Sequence, residues 1–288
     1  MAKANSMNYS IAQLTQFLAA ALAEDIGSGD HTSLSTIPEG AQSQAKLLVK
    51  EDGIIAGVQI ALKIFELVDP NLQIELFYQD GDTVKVGQEI LHVKGSVHSI
   101  LKAERLVLNT MQRMSGIATT TAHAVSLVKD YQTQILDTRK TTPGFRFLEK
   151  EAVKIGGGVN HRFGLFDMIL IKDNHVDYAG GITKALENAQ QYLLQTGLNL
   201  PIEIETRSIA EVKEALAIGG FQRIMFDNFT FENMKAAVNL VDGKYETEAS
   251  GGITIENVQA YAACGVSHIS LGALTHSVKS LDLSLKAF

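Results

Sequence analysis

From Gln134 onward the chain repeats one pattern: a short apolar run, then a stretch with apolar residues at helical spacing. Nothing else in the sequence constrains the fold as strongly. Parallel strands cannot be joined by a tight turn and need a crossover, usually a helix, so strand–helix repeats imply a parallel sheet with right-handed connections. The expected strands are 135–138, 168–172, 202–206, 223–227, 246–250 and 268–272. The expected helices are 147–155, 183–196, 209–218, 231–241 and 255–263. Later strand starts fall about 22 residues apart, a compact βα unit. Six strands fall short of the eight of a closed barrel, which favours an incomplete α/β barrel. A doubly wound open sheet is the weaker alternative, because no G-x-G-x-x-G opens the first unit.

The first third is mixed α and β. Ile11, Leu14, Leu18 and Leu22 recur at helical spacing, so 11–23 reads as an amphipathic helix. A strand at 45–50, a helix at 56–68 ended by Asp69-Pro70, a strand at 72–78 and short strands to residue 93 follow. The turn at Asp80-Gly81 resembles those of lipoyl-like modules. It lacks the exposed carrier lysine, so ordinary turn chemistry accounts for it. A long helical region, 97–128, carries Arg105, Asn109 and Gln112 on one polar stripe, with a break expected near Ser115-Gly116.

Composition closes several options. The chain has 288 residues and is 45% hydrophobic, enough for a large core without staples. Cys264 is the only cysteine, so no internal disulfide can form. Its small apolar neighbours read as a buried helix end, and a reducing, cytoplasmic compartment fits. No apolar run reaches the ~18 residues needed to span a bilayer. Residues 1–10 are polar and lack a signal-type core, with Met7 a candidate start. A net charge of -7 argues against broad nucleic-acid binding and makes any local basic cluster more informative.

Such a cluster exists, and it lies where a parallel α/β fold gathers function. Polar residues crowd the C-terminal ends of the strands, which converge on one face. The first strand ends in Asp137-Thr138-Arg139-Lys140-Thr141-Thr142, and the second in Lys172-Asp173-Asn174-His175. The third carries Glu203, Glu205 and then Arg207, and the fourth ends in Asp227-Asn228. The fifth ends in Ser250-Gly251-Gly252 and the sixth in Gly272. Arg139, Lys140, Arg162 and Lys172, with His161 beside them, suit carboxylate or phosphate. Glu205 and Asp227 are hard oxygen donors suited to Mg2+. Ser250, Gly251 and Gly252 precede a helix and can present backbone N–H groups to a phosphate. Gly156-Gly157-Gly158 permits a close backbone approach or a mobile loop. No P-loop, zinc-ligand motif or G-x-S-x-G occurs, which argues against nucleoside triphosphatases, zinc enzymes and serine hydrolases. From the residues alone, the site takes a phosphorylated, multiply anionic substrate with Mg2+, and a Schiff-base lysine at Lys140 or Lys172 stays open.

Together these motifs resemble the quinolinate phosphoribosyltransferase family. Asp137 to Gly144, Gly156 to Arg162 and Ile171 to His175 carry the resemblance. So do Glu24-Asp25 to Thr32, Glu104 to Thr119, Glu203-Ile204-Glu205, Phe226-Asp227-Asn228, Glu248 to Gly252 and Gly272 to Ser277. Phe145 and Phe226 are conservative departures. The resemblance implies an N-terminal α/β sandwich domain, 1–118, rejoined by a strand-like tail at 280–288. It also implies a six-stranded incomplete parallel α/β barrel, 119–279. The implied reaction joins quinolinate to phosphoribosyl pyrophosphate, giving nicotinate mononucleotide, pyrophosphate and CO2 on the way to NAD.

The resemblance assigns Arg105, Thr138, Arg139, His161, Arg162 and Lys172 to quinolinate, and Lys140 to the pyrophosphate and reacting sugar. It assigns Glu205 and Asp227 to Mg2+ and the ribose hydroxyls, and Ser250, Gly251, Gly252 and Gly272 to the 5′-phosphate. Lys140, Glu205 and Asp227 are the implied catalytic groups, and no organic cofactor is needed. A homodimer with a shared active site is implied, with Arg105 reaching the neighbouring chain's site, and a higher oligomer is open. Nucleic acid and membrane are not expected partners. The competing readings are a related transferase using another base, a barrel lyase with a Schiff-base lysine, and an inactive ligand sensor.

Overall fold

The computed structural model describes residues 10–288, and the polar start containing Met7 lies largely outside them. In chain order the elements begin with α1 (Ile11–Ile26), α2 (His31–Thr36), β1 (Gln42–Val49), β2 (Gly53–Ile54) and α3 (Val58–Val68). Then come β3 (Gln73–Leu76), β4 (Thr83–Val84), β5 (Glu89–Ser96) and α4 (Val97–Leu127). The repeating part follows as β6 (Gln134–Leu136), α5 (Arg146–Ile155), β7 (Ile169–Ile171), α6 (Asp173–Ala179), α7 (Ile182–Thr196) and β8 (Ile202–Thr206). It continues with α8 (Ile209–Ile218), β9 (Arg223–Asp227), α9 (Phe231–Val241), β10 (Glu246–Ser250), α10 (Val258–Ala262), β11 (His268–Ser270), α11 (Ala273–His276) and β12 (Leu283–Ala287). Among the described residues no helix is long and apolar enough to cross a membrane.

The chain forms two compact units. The first comprises residues up to 122, with 141–157 and 275–288. Its antiparallel sheet has the order β12-β1-β5-β3, beside a two-stranded ribbon of β2 and β4. Helix α1 starts where Ser10 and Gln13 form a capping box, and it buries Leu14, Leu18 and Leu22, the periodic residues. Helix α3 starts two residues later than its apolar pattern suggests. Gly57 sits there with φ +91, and a Cβ on it would press on Met111 and Met114 of α4.

The break expected at Ser115-Gly116 does not occur, and α4 runs unbroken for 31 residues. Both residues serve packing instead. The Ser115 hydroxyl accepts from the Ala56 N–H at 2.9 Å, and a Cβ at Gly116 would collide with the Lys279 carbonyl. Gln112 also leaves the expected polar stripe, because its amide donates to the Leu283 carbonyl at 2.8 Å. Arg105 and Asn109 stay exposed.

The second unit comprises residues 123–140 and 158–274. Its six parallel strands have the order β6-β11-β10-β9-β8-β7. Strands β7 to β11 thus neighbour each other in sequence order, and β6 closes onto β11 rather than onto β7. The barrel is open between β6 and β7. Val159 partly covers that seam: its N–H donates to the Ile135 carbonyl at 2.8 Å, and its carbonyl accepts from Asp137 at 3.2 Å. The expected α/β class, an N-terminal α/β domain and an incomplete six-stranded parallel barrel, is the one observed, and the sheet of the N-terminal domain is antiparallel.

Candidate active site

The strand register decides which side chains meet. In β8, β9 and β10 alternate residues face one side. Glu203 pairs in register with Arg223, Glu205 with Met225, Glu248 with Met225 and Ser250 with Asp227. Glu205, Asp227 and Ser250 are the last residues of that face on their strands and lie at the C-terminal strand ends. Glu203, Arg223 and Glu248 belong to the layers beneath.

In the upper layer Glu205 is nearly buried, with Lys172 Nζ 3.8 Å from its Oε2 and the Asp173 N–H donating to Oε1 at 3.3 Å. Burial raises the Glu205 carboxyl above its usual range. Lys172 opposes that shift, while Asp227 and Asp173 add to it. Asp227 accepts from the Asn228 amide at 2.6 Å. Asn228 is one of two non-glycine residues with positive φ among those described, at +55. Its N–H bonds the Ser250 carbonyl at 2.9 Å, and a Cβ on Gly251 would collide with its side chain. Gly252 (φ +63) borders open space, so its backbone is accessible. The cradle expected ahead of a helix differs in one respect. The following helix, α10, has five residues and starts at Val258, so the loop's own backbone turn must present the N–H groups. Gly272 lies just before the short α11.

Among the cationic residues, Thr138 and Arg139 are half-buried and Lys140 is exposed, its N–H donating to the Thr138 hydroxyl at 3.0 Å. Arg162 is buried, and its Nη1 lies 3.4 Å from the Met168 carbonyl. Burial, followed by the nearby Arg139 charge, weakens its hold on its proton. Lys172 is the N-cap of α6, a helix too short for its periodicity to show, and the His175 ring accepts the Lys172 N–H at 2.9 Å. His175 is thus spent on capping. Arg207 is likewise engaged by Asp177 and Glu211.

The lower layer holds residues that strand-end reasoning passes over. His161 is buried, its Nε2 3.1 Å from Glu203 Oε2 and 3.4 Å from Glu248 Oε2. Arg223 Nη1 lies 3.3 Å from Glu248 and 3.8 Å from Glu203. Burial lowers the His161 pKa and the Glu203 and Glu248 carboxylates raise it, but Nδ1 accepts the Arg162 N–H at 2.7 Å, which keeps the ring singly protonated. Burial and the Glu248 charge push Glu203 up to about 7. Burial opposes the Glu248 charge too, yet His161, Arg223 and the Ser270 hydroxyl hold that carboxyl below its usual range. Asp137, wholly buried, accepts from the His161 N–H at 2.9 Å and the Asn160 amide at 2.6 Å.

Within the first unit, Arg113 donates to Glu149 Oε1 through Nε (3.0 Å) and Nη2 (2.8 Å), and to the Thr275 and Val278 carbonyls. Glu149 also accepts from the Thr142 N–H and hydroxyl, which anchors the chain two residues beyond Lys140. A Cβ on Gly156 would collide with the Ala118 carbonyl, so that glycine serves helix packing rather than ligand approach. Cys264 is free and buried, and burial raises its thiol, as expected for a structural residue.

A parallel barrel whose mouth combines paired carboxylates, a glycine turn and a set of arginines and lysines defines an enzyme for anionic, phosphate-bearing substrates. Similarity makes this particular. Residues 30–115 match the family model described as quinolinate phosphoribosyl transferase, N-terminal domain, and residues 117–286 match that of the C-terminal domain. The chain belongs to the quinolinate phosphoribosyl transferase family. It is 50% identical over 281 residues to the tobacco (Nicotiana tabacum) quinolinate phosphoribosyltransferase [decarboxylating] 1b, covering 92% of this chain and 80% of the relative. It is 47% identical to a probable nicotinate-nucleotide pyrophosphorylase [carboxylating] of Bacillus subtilis, over 95% of this chain and 93% of that one. The solved nicotinate-nucleotide pyrophosphorylase of Francisella tularensis superposes with a TM-score of 0.92 at 39% identity, covering 99% and 100% of the two chains.

Proposed function

We infer that this chain carries out its family's reaction: quinolinate and phosphoribosyl pyrophosphate give nicotinate mononucleotide, pyrophosphate and CO2, a step of NAD biosynthesis. The observation that carries this is the match to both domains of the family, together with curated relatives at about half identity that bear the decarboxylating transferase name.

In the mechanism that fits these residues, Arg139, Arg162 and Lys172 hold the two carboxylates of quinolinate, with Thr138 beside them, so that the ring nitrogen faces the sugar C1. This is catalysis mainly by positioning. Ser250, Gly251, Gly252 and Gly272 hold the 5′-phosphate. Lys140 offsets charge on the departing pyrophosphate, while Glu205 and Asp227 face the ribose and its developing positive charge. Once the ring nitrogen is quaternary it draws electrons, and the neighbouring carboxylate leaves as CO2.

Glu205 and Asp227 would hold Mg2+. The donor set fits: both are hard oxygen donors, and burial first, then the neighbouring Asp227 and Asp173 charges, raise the Glu205 carboxyl, a cost that a bound cation would offset. When bound, the ion would neutralise pyrophosphate oxygens. No organic cofactor enters.

The reading includes a homodimer in which Arg105 of the partner subunit completes each site, with a higher oligomer open. Exposed Arg105 and Asn109, one helical turn apart on α4, support it. Mixing Arg105→Ala chains with Arg139→Ala chains restores activity if sites are shared, and a lack of restoration counts against sharing. The lone buried cysteine suits a reducing compartment such as the cytoplasm, although an Arabidopsis relative is named chloroplastic. The deciding experiment is CO2 release from quinolinate, with phosphoribosyl pyrophosphate and Mg2+ omitted in turn. Release that persists without phosphoribosyl pyrophosphate rejects the assigned reaction.

A further inference from the structure

The buried layer beneath the mouth is not used by the reaction as written, and it contains a residue to which family resemblance gives a direct role. We propose that His161 positions Arg162 rather than binding the quinolinate carboxylates itself, and that Glu203, Glu248 and Arg223 act through it. This rests on the reaction assigned above.

The first argument is valence. An imidazole binds a carboxylate through a ring N–H. In His161, Nε2 is turned toward Glu203 and Glu248, at 3.1 and 3.4 Å. Nδ1 accepts the Arg162 backbone N–H at 2.7 Å. Neither ring nitrogen is left to donate to a substrate.

The second argument is connectivity. Asp137 grips the backbone before the ring, through the His161 N–H and the Asn160 amide. The ring then grips the backbone after it, through the Arg162 N–H. Two strands, β8 and β10, supply the carboxylates that face the ring, and Arg223 of β9 lies between them. Arg162 thus leaves a loop at the open seam yet is referenced to three rigid strands. A guanidinium fork needs that precision, since small misplacement of a substrate-holding group costs large factors in rate.

The third argument is charge. The Arg162 N–H at 2.7 Å leaves no room for a second proton on Nδ1, so the ring carries its proton on Nε2. Arg223 Nη1 faces both carboxylates, 3.3 Å from Glu248 and 3.8 Å from Glu203. The same His161, Glu203 and Glu248 have the spacing of a metal-ligand trio. The Arg223 guanidinium already supplies the positive charge there, which disfavours a metal ion.

The test is a kinetic double-mutant cycle with quinolinate and phosphoribosyl pyrophosphate. Glu248→Gln should raise the KM for quinolinate about tenfold and leave that for phosphoribosyl pyrophosphate within about twofold. Glu203→Gln, which leaves the Glu248 carboxylate facing the ring, should raise it only about threefold. Glu248→Gln combined with Arg162→Lys should be no worse than Arg162→Lys alone, because both disturb the same group. Additive losses, or equal effects on both substrates, overturn the proposal. If Glu248→Gln does not fold, as judged by thermal unfolding, the cycle is run with His161→Ala and Arg162→Lys, and additivity again overturns it. A wild-type chain that releases no CO2 would instead reject the assigned reaction. The same cycle is then read from quinolinate binding by calorimetry.

Discussion

Glu203 and Glu205 stand two residues apart on β8, face the same side, and meet opposite fates. Glu205 reaches the mouth, where Lys172, at 3.8 Å, is half exposed and solvent can enter. Glu203 is sealed beneath it, against His161 and Arg223. Two residues of the strand, about 6.6 Å, thus separate a carboxylate placed for chemistry from one placed for architecture. The lesson is that a barrel interior can devote adjacent layers to different tasks with the same residue type, because partners on neighbouring strands set the charge state.

Three measurements would break or sharpen that contrast. The largest effect belongs to the mouth. Glu205→Gln, Asp227→Asn and Lys140→Ala should each lower kcat on the order of 10²-fold or more, with melting temperatures near wild type. Near-normal turnover would remove the residue from its assigned role. The interior should show the reverse balance. Glu248→Ala removes a wholly buried carboxylate from His161 and from half-buried Arg223, which keeps Glu246 at 2.8 Å, and should cost about 1–3 kcal/mol of stability in chemical denaturation. A loss below about 1 kcal/mol would mean that the layer is not a tight ion-pair network.

The smallest effect is pH dependence. The folded chain holds the Glu203 proton to about 7, whereas a free glutamate gives it up near 4.5. Where the folded state binds more protons, stability falls as pH rises. The contribution is therefore complete below 4.5, where folded and unfolded forms are both protonated, and lost as pH rises through about 7. Melting temperature should decline between pH 5 and 7, and Glu203→Gln should flatten that decline. An unchanged slope in the variant would place the proton elsewhere.

Much of this was legible in the sequence. The βα repeat announced the six parallel strands, and their polar ends announced the mouth. The lower layer was harder to see. The run Ile202-Glu203-Ile204-Glu205 signals that both glutamates share a face, but not which one is sealed. A buried charge is intelligible only with its partners: Arg223 becomes the neighbour of Glu203 through register and Glu248 meets it across His161, which no single strand encodes. The Gly116 error has a related cause. Glycine weakens a helix intrinsically, but here the contact with Lys279, more than 160 residues away, decides its presence. Helices α2 and α6 are too short to leave a periodic trace.

The edge strand β12 carries a different implication, for the order in which the chain folds. Residues 283–287 complete the sheet begun by β1, and the Leu281 N–H and Leu283 carbonyl are both bonded to Gln112. During synthesis the parallel strands, which end at residue 270, emerge before this one. The sheet begun by β1 therefore cannot be finished until residues 283–287 leave the ribosome. Until then β1 presents an unpaired edge, open to mispairing.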